Sequence, residues 1–215
     1  MTTNVASKKR LFGDLPMTWP IVLIFGAAAG IYAGVMNSIP ALANTSFHDI
    51  SVTHEWWVIF AFIIASNCKK SWESALKIFV FFLVSQPLCY VAEVLGGAVS
   101  ADMAIYYYTA IWGPTTLLTL PGGFIAFFIT RQNPLGWVIL GLGCTIQSFL
   151  GCHYFGTMLK TPPFHLLTVL VCFGSIFFMT WQIQRDTKGR IATLVVCVLA
   201  TLAIVGFLFL DGRVL

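Results

Sequence analysis

Between Asp102 and Arg131 the chain carries no Asp, Glu, Lys or Arg, and comparable uncharged runs recur from its first quarter to its end. A helix of that length with no charge has no polar face to offer water, so each run needs an apolar surrounding on all sides. Composition closes the alternative. Hydrophobic residues make up 58% of the chain and charged residues 9%, with a mean hydropathy of +0.87. The 12 Lys and Arg and 8 Asp and Glu are too few to wrap 23.7 kDa in water, which excludes a soluble globular domain. In hydrocarbon every backbone N–H and C=O must be paired, and long uncharged runs broken by short charged turns meet that demand as helices rather than as a barrel.

The sequence therefore reads as an all-α, polytopic transmembrane helical bundle of about seven spans. The first runs from about Met17 to Asn37, too long for the apolar region of a cleaved signal peptide. The second, Trp56 to Cys68, is short unless it extends back to about Ile50, which draws His54 and Glu55 toward the hydrocarbon. A third covers Glu73 to Leu95. The fourth covers Met103 to Thr130, where Pro114 and the Pro121, Gly122, Gly123 triplet predict a kinked or broken helix. Three more follow: from Pro134 to about Tyr154, from Phe164 to Ile183 and from Ile191 to Leu210. The domain organisation is a cytoplasmic tail over 1–16, one membrane domain over 17–210 and a short external tail over 211–215.

Charge placement supplies the orientation. With the N-terminus cytoplasmic, every Lys and Arg except Lys160 and Arg213 falls on the inner side, while Asp49, Glu55, Glu93, Asp102 and Asp211 fall outside. The net charge of +4 is thus a topology signal spread over short turns, and it forms no basic face; no nucleic-acid partner is expected. A multi-pass protein of a plasma or inner membrane is the expected location. Asn44, Thr45, Ser46 forms a glycosylation sequon that matters only in a eukaryotic secretory membrane. The six cysteines include no C-x-x-C pair and read as compact apolar packing residues.

Ionisable groups near the hydrocarbon are the first candidates for function, because a charge at its centre costs about 2.5–3.5 kcal/mol. Glu55 and Glu93 lie toward the outer ends of adjacent spans, where they can form an acidic mouth, bind a cation or hold a proton, or else simply sit at headgroup level. The interrupted fourth span adds Tyr106, Tyr107, Tyr108, Trp112, Thr115 and Thr116, with Gln86 and Tyr90 on the third. Its Tyr and Trp also fit an interfacial belt, and its Thr hydroxyls can bond their own helix. Gln147 sits four residues from both Gly143 and Gly151 and faces protein.

Histidine offers less. His48, His54, His153 and His165 fall on the outer side and could join Asp49 or Glu55 around zinc, but there is no H-E-x-x-H, P-loop, G-x-S-x-G or dinucleotide fingerprint. No cofactor and no metal are expected, and the missing motifs weigh against an enzyme. The leading expectation is a transporter or channel-like protein for a small polar or cationic solute, its route lined by Glu55, Gln86, Glu93, Thr115, Gln147 and His153. An intramembrane enzyme acting on a lipid or lipid-linked substrate is the alternative, with His153, His54 and Glu55 as its acid, base or metal ligands. A non-catalytic subunit or assembly factor is the third. Gly26, Gly30 and Gly34, four residues apart, make either an internal packing seam, the preferred reading, or the face that meets a membrane partner.

Overall fold

The computed structural model describes residue 12 and residues 15–52, 54–160 and 165–210, with side chains placed for all of these except 50–52, 54–55 and 208–210. Most of both predicted tails, including 211–215, lies outside the described residues. Local signals set the helix ends. α1 (Trp19–Asn37) opens with Pro20 in its first turn, where the missing N–H costs nothing, and closes at Ser38, whose hydroxyl donates to Gly34 O at 2.7 Å. After α2 (Ser46–Val52) and α3 (His54–Asn67) comes α4 (Ser71–Leu95), whose Glu73 carboxylate accepts the otherwise unpaired N–H groups of Lys69 and Lys70 at 2.8 and 3.3 Å. α4 stops at Gly96 and Gly97, the latter at φ +73°.

α5 (Ala101–Tyr107), a π-helical segment (Tyr108–Trp112) and α6 (Gly113–Ala126) form one continuous irregular helix that ends in a 3₁₀ turn, Phe127–Thr130. The interruption expected from Pro114 takes this form: Pro114 has no N–H to give Ala110, and the Gly113 N–H instead bonds Tyr108 O, widening the turn without severing the helix. α7 (Pro134–Lys160), α8 (Leu166–Ile183) and α9 (Thr187–Leu210) complete the chain. Among the described residues all regular structure is helical.

Among the described residues six stretches are long and apolar enough to cross a membrane: α1, α4, the irregular helix over 101–130, α7, α8 and α9. The remaining expected span, the second, is α3, whose 14 residues cover about 21 Å. Its brevity is tolerable because it is central. It packs on α4, α6 and α7, and every residue from Phe62 to Cys68 is buried, so its C-terminal backbone groups are sheltered by protein rather than lipid.

Close packing of α1 on α4 is the most extensive contact in the bundle. A Cβ on Gly26, Gly30 or Gly34 would lie 2.9, 2.2 and 2.3 Å from the carbonyl oxygens of Phe81, Ser85 and Cys89, so each glycine stands directly over α4 backbone. The ascending order on both helices makes them parallel, and α3 carries the chain back between them. This corrects the partner reading: the glycine face meets the chain's own α4 and is not available to a second protein. Around it gather Phe25, Trp57, Phe60, Phe81 and Phe82, mostly edge-on, with Phe81 fully buried.

The cationic end is tied shut by polar contacts. Lys77 pairs with Glu73 at 2.5 Å and donates to Met17 O, while the Asn67 amide oxygen accepts the Leu15 N–H at 3.2 Å. Gln132 joins the two remaining turns, donating to Ile183 O at 2.8 Å and accepting from Arg185 N–H at 2.9 Å. Large apolar side chains such as Ile24, Leu118, Trp181 and Phe207 face outward, each about two-thirds exposed, as lipid-facing residues do.

Gly30→Ala should force α1 and α4 apart and lower stability by about 1–3 kcal/mol, read as a fall in melting temperature in detergent. Gly122→Ala is the matched control, because no atom lies within 4 Å of its Cβ position, and it should melt within a degree or two of the parent.

Candidate functional site

At its acidic end the glycine seam delivers one side chain to another. Gly34 holds the last turn of α1 against Cys89, and one turn on, Asn37 Nδ2 donates to Glu93 Oε1 at 2.5 Å. Gln86, Cys89, Tyr90 and Glu93 recur at helical spacing, so α4 presents them on one face. Cys89 Sγ also donates to Glu93 Oε1, at 3.7 Å. Both contacts fall on the same oxygen, and among the described residues no Lys, Arg or His pairs with this carboxylate. Glu93 is 6% exposed and Gln86 5%. No protein group among the described residues hydrogen-bonds the Gln86 amide.

These groups open on a cavity of about 360 Å³, whose aromatic walls are Trp57, Tyr90, Tyr107 and Trp112. The π-helical segment shapes it: Tyr107 and Trp112, five residues apart, meet on the cavity side, facing Tyr90 of α4. Trp57 and Trp112 also border a second cavity of about 350 Å³, so the two adjoin. The second is apolar, walled by Phe62, Ile78, Phe82, Leu118 and Ile146, with Gly122 leaving its space open, while Gly143 lets the Phe62 ring in close and Gly123 lets α4 approach. Gly123 is where α6 crosses α4, its carbonyl accepting the Ser74 hydroxyl at 2.8 Å. On the far side α6 and α7 touch only slightly, and Leu118 and Ile146 flank a mouth turned toward lipid.

Of the six residues expected to line a route, the structure unites Gln86 and Glu93. Thr115 borders the apolar cavity, but its hydroxyl donates to Ile111 O at 2.6 Å, as Thr119 donates to Thr116 O at 2.6 Å; these protons are spent within the helix. Gln147 is fully buried in α7 and lines neither cavity. His153 is exposed on the far part of α7, stacked edge-on with Tyr154 at 5.5 Å, and joins no site. Glu55 and His54 begin α3, and their side chains lie outside the described residues. Asn37 and Trp57 were not legible as site residues. The available signal was an amide ending a helix whose glycine spacing forces close approach.

A second polar cluster lies between α2 and α8. Asp49 Oδ2 receives the Thr168 hydroxyl at 2.5 Å and contacts His165 Nδ1 at 2.8 Å, while the Thr168 N–H donates to Ser46 Oγ at 3.1 Å. All four residues are buried. Thr168 gives its proton to the acid rather than to the imidazole, opposite to what an activated nucleophile requires, so the cluster reads as a clasp that docks α2 on α8. Among the described residues, which leave out the side chains of His54 and Glu55, no three His, Cys, Asp or Glu are grouped to hold a metal.

Comparison with protein-family models, with curated proteins and with solved structures finds no match to this chain. Its class follows from its own features: an all-helical, multi-pass membrane protein.

Asp49→Ala strips an acceptor from two buried groups and should destabilise the protein by about 1–3 kcal/mol, measured by thermal or denaturant unfolding in detergent. Asp102→Ala, exposed in the first turn of α5, should change it by less than about 0.5 kcal/mol.

Proposed function

We propose that this protein is a small transporter or channel-like protein that admits a small polar or cationic solute at the Glu93, Asn37, Gln86 cavity. The observation that carries the reading is Glu93: a buried carboxylate facing a cavity, held by one neutral amide and one thiol and paired with no protein cation among the described residues. Leaving such a charge in an apolar medium is costly, and the Asn37 bond returns only about 1.5–3 kcal/mol of that cost. A monovalent cation about 4 Å away gains roughly 4 kcal/mol at an effective dielectric constant near 20, which corresponds to millimolar affinity. Aromatic faces add about 0.5–2 kcal/mol each where they meet a cation. The Trp57, Tyr90, Tyr107 and Trp112 walls therefore favour an organic ammonium over a hydrated metal ion.

The direction of the charge gradient supports a mouth at the outer face, since the Lys and Arg turns gather at the opposite end of the bundle from Glu93. The lateral opening of the apolar cavity is the one feature that favours the alternative, chemistry on a lipid. Against it, the groups beside Glu93 are the weakly acidic Cys89 thiol and Tyr90 phenol, and among the described residues the two linings hold no His, Lys or Arg to serve as a base or to bind a phosphate.

Purified protein in detergent, titrated with tetramethylammonium chloride against matched sodium chloride, should gain thermal stability, and Glu93→Gln should weaken the apparent affinity at least tenfold. Uptake of radiolabelled tetramethylammonium by proteoliposomes should fall with the same substitution. An identical response in parent and variant, or none in either, would overturn the reading.

A further inference from the structure

We infer that the ligand is an amphiphilic cation, with its ammonium head at Glu93 and its hydrocarbon tail in the apolar cavity beyond Trp57 and Trp112. The inference rests on the cation-site reading and extends it, because beyond the Trp57 and Trp112 rings the second cavity offers a small ion only threonine oxygens amid apolar side chains. The two spaces are of similar size, about 360 and 350 Å³, and share the Trp57 and Trp112 side chains as a common border. They differ sharply in chemistry. The first offers a carboxylate, two carboxamides and aromatic faces. The second offers Phe, Ile, Leu and Ala side chains with bare glycine backbone, and its Thr115 and Thr119 hydroxyl protons are given to their own helix. A molecule that satisfies both must be polar and positive at one end and aliphatic at the other.

Two further features fix the class. Among the described residues neither lining contains Lys, Arg or His, so a phosphate placed beside the ammonium would meet no positive partner there and would lie close to Glu93. This favours a net cation over a zwitterionic lipid headgroup. The second feature is access. The apolar cavity opens between α6 and α7, past Leu118 at 69% and Ile146 at 43% exposure, where a tail already dissolved in the bilayer can enter sideways. Gly122 is the position that keeps the tail space open, since no atom lies within 4 Å of where its Cβ would be.

The test is a chain-length series on the purified, full-length protein in a maltoside detergent. Trimethylammonium compounds bearing methyl, butyl and hexyl chains are titrated by thermal shift, beside n-alkylphosphocholines and n-alkylsulfonates of the same chain lengths. Affinity in the ammonium series should rise about two- to fourfold per methylene until the cavity is filled, with no comparable rise in the other two series. Gly122→Phe should flatten the rise, and Gly122→Ala, which adds one carbon in open space, should blunt it while melting normally without ligand. Glu93→Gln should weaken the whole ammonium series at least tenfold.

An ammonium series that responds through Glu93 but shows no chain-length dependence beyond the sulfonate control would overturn this inference and leave the small-cation reading standing. So would a rise that survives Gly122→Phe. Phosphocholines rising in parallel with the ammonium series would show a lipid headgroup site, or tail partition alone, and would equally overturn it. If no ammonium compound, methyl included, distinguishes the parent from Glu93→Gln, both readings fail together.

Discussion

The structure depends on the contact of α1 with α4 through Gly26, Gly30 and Gly34. Between helices in hydrocarbon there is no water to expel, so association rests on dispersion and polar contacts, both of which need near approach. The three glycines supply it by placing α1 directly over the carbonyls of Phe81, Ser85 and Cys89. Parallel alignment follows, and with it everything at the two ends. At one end Lys77 reaches Met17 and Glu73. At the other Asn37 arrives at Glu93. Because α1 and α4 run the same way, the chain between them must return through the interior, which is why a helix as short as α3 occupies the centre, shielded by α4, α6 and α7.

Polar groups inside such a bundle divide into those that are settled locally and those that are not. Thr109, Thr115, Thr145 and Thr201 donate to carbonyls four residues back and need nothing from a neighbour. Asp49, His165, Thr168 and Ser46 settle one another across two helices. Gln86 belongs to neither class, and Glu93, whose Oε1 both Asn37 and Cys89 bond, only in part. Their polar atoms face a cavity bordered by the π-helical turn that Pro114 imposes, so an irregularity required by one residue's missing N–H becomes the wall of a site.

That site is unusual in joining a carboxylate to an apolar space open to lipid. The junction at Trp57 and Trp112 is formed by α3 and the π-helical segment, the short central helix and the irregular one, neither of which is a regular spanning helix. Departures from regularity concentrate where the cavities lie, while α7, α8 and α9 pack as an ordinary group with α7 and α9 in close contact.

Much of this architecture is legible in the residues alone. Scarcity of charge dictates apolar helices, the gathering of Lys and Arg in alternate turns dictates which ends lie together, and glycines four apart announce a seam, all because hydrocarbon penalises an unpaired charge or backbone group wherever it falls. Glu93 and Gln86 stand out for the same reason. What the residues alone do not settle is which helix fills the seam, and hence that Asn37 rather than Gln147 or His153 joins Glu93. Those pairings join residues more than fifty positions apart and depend on helix rotation, which one-dimensional spacing leaves free; only the packed tertiary structure fixes it, by admitting the single arrangement in which three glycines lie on three carbonyls.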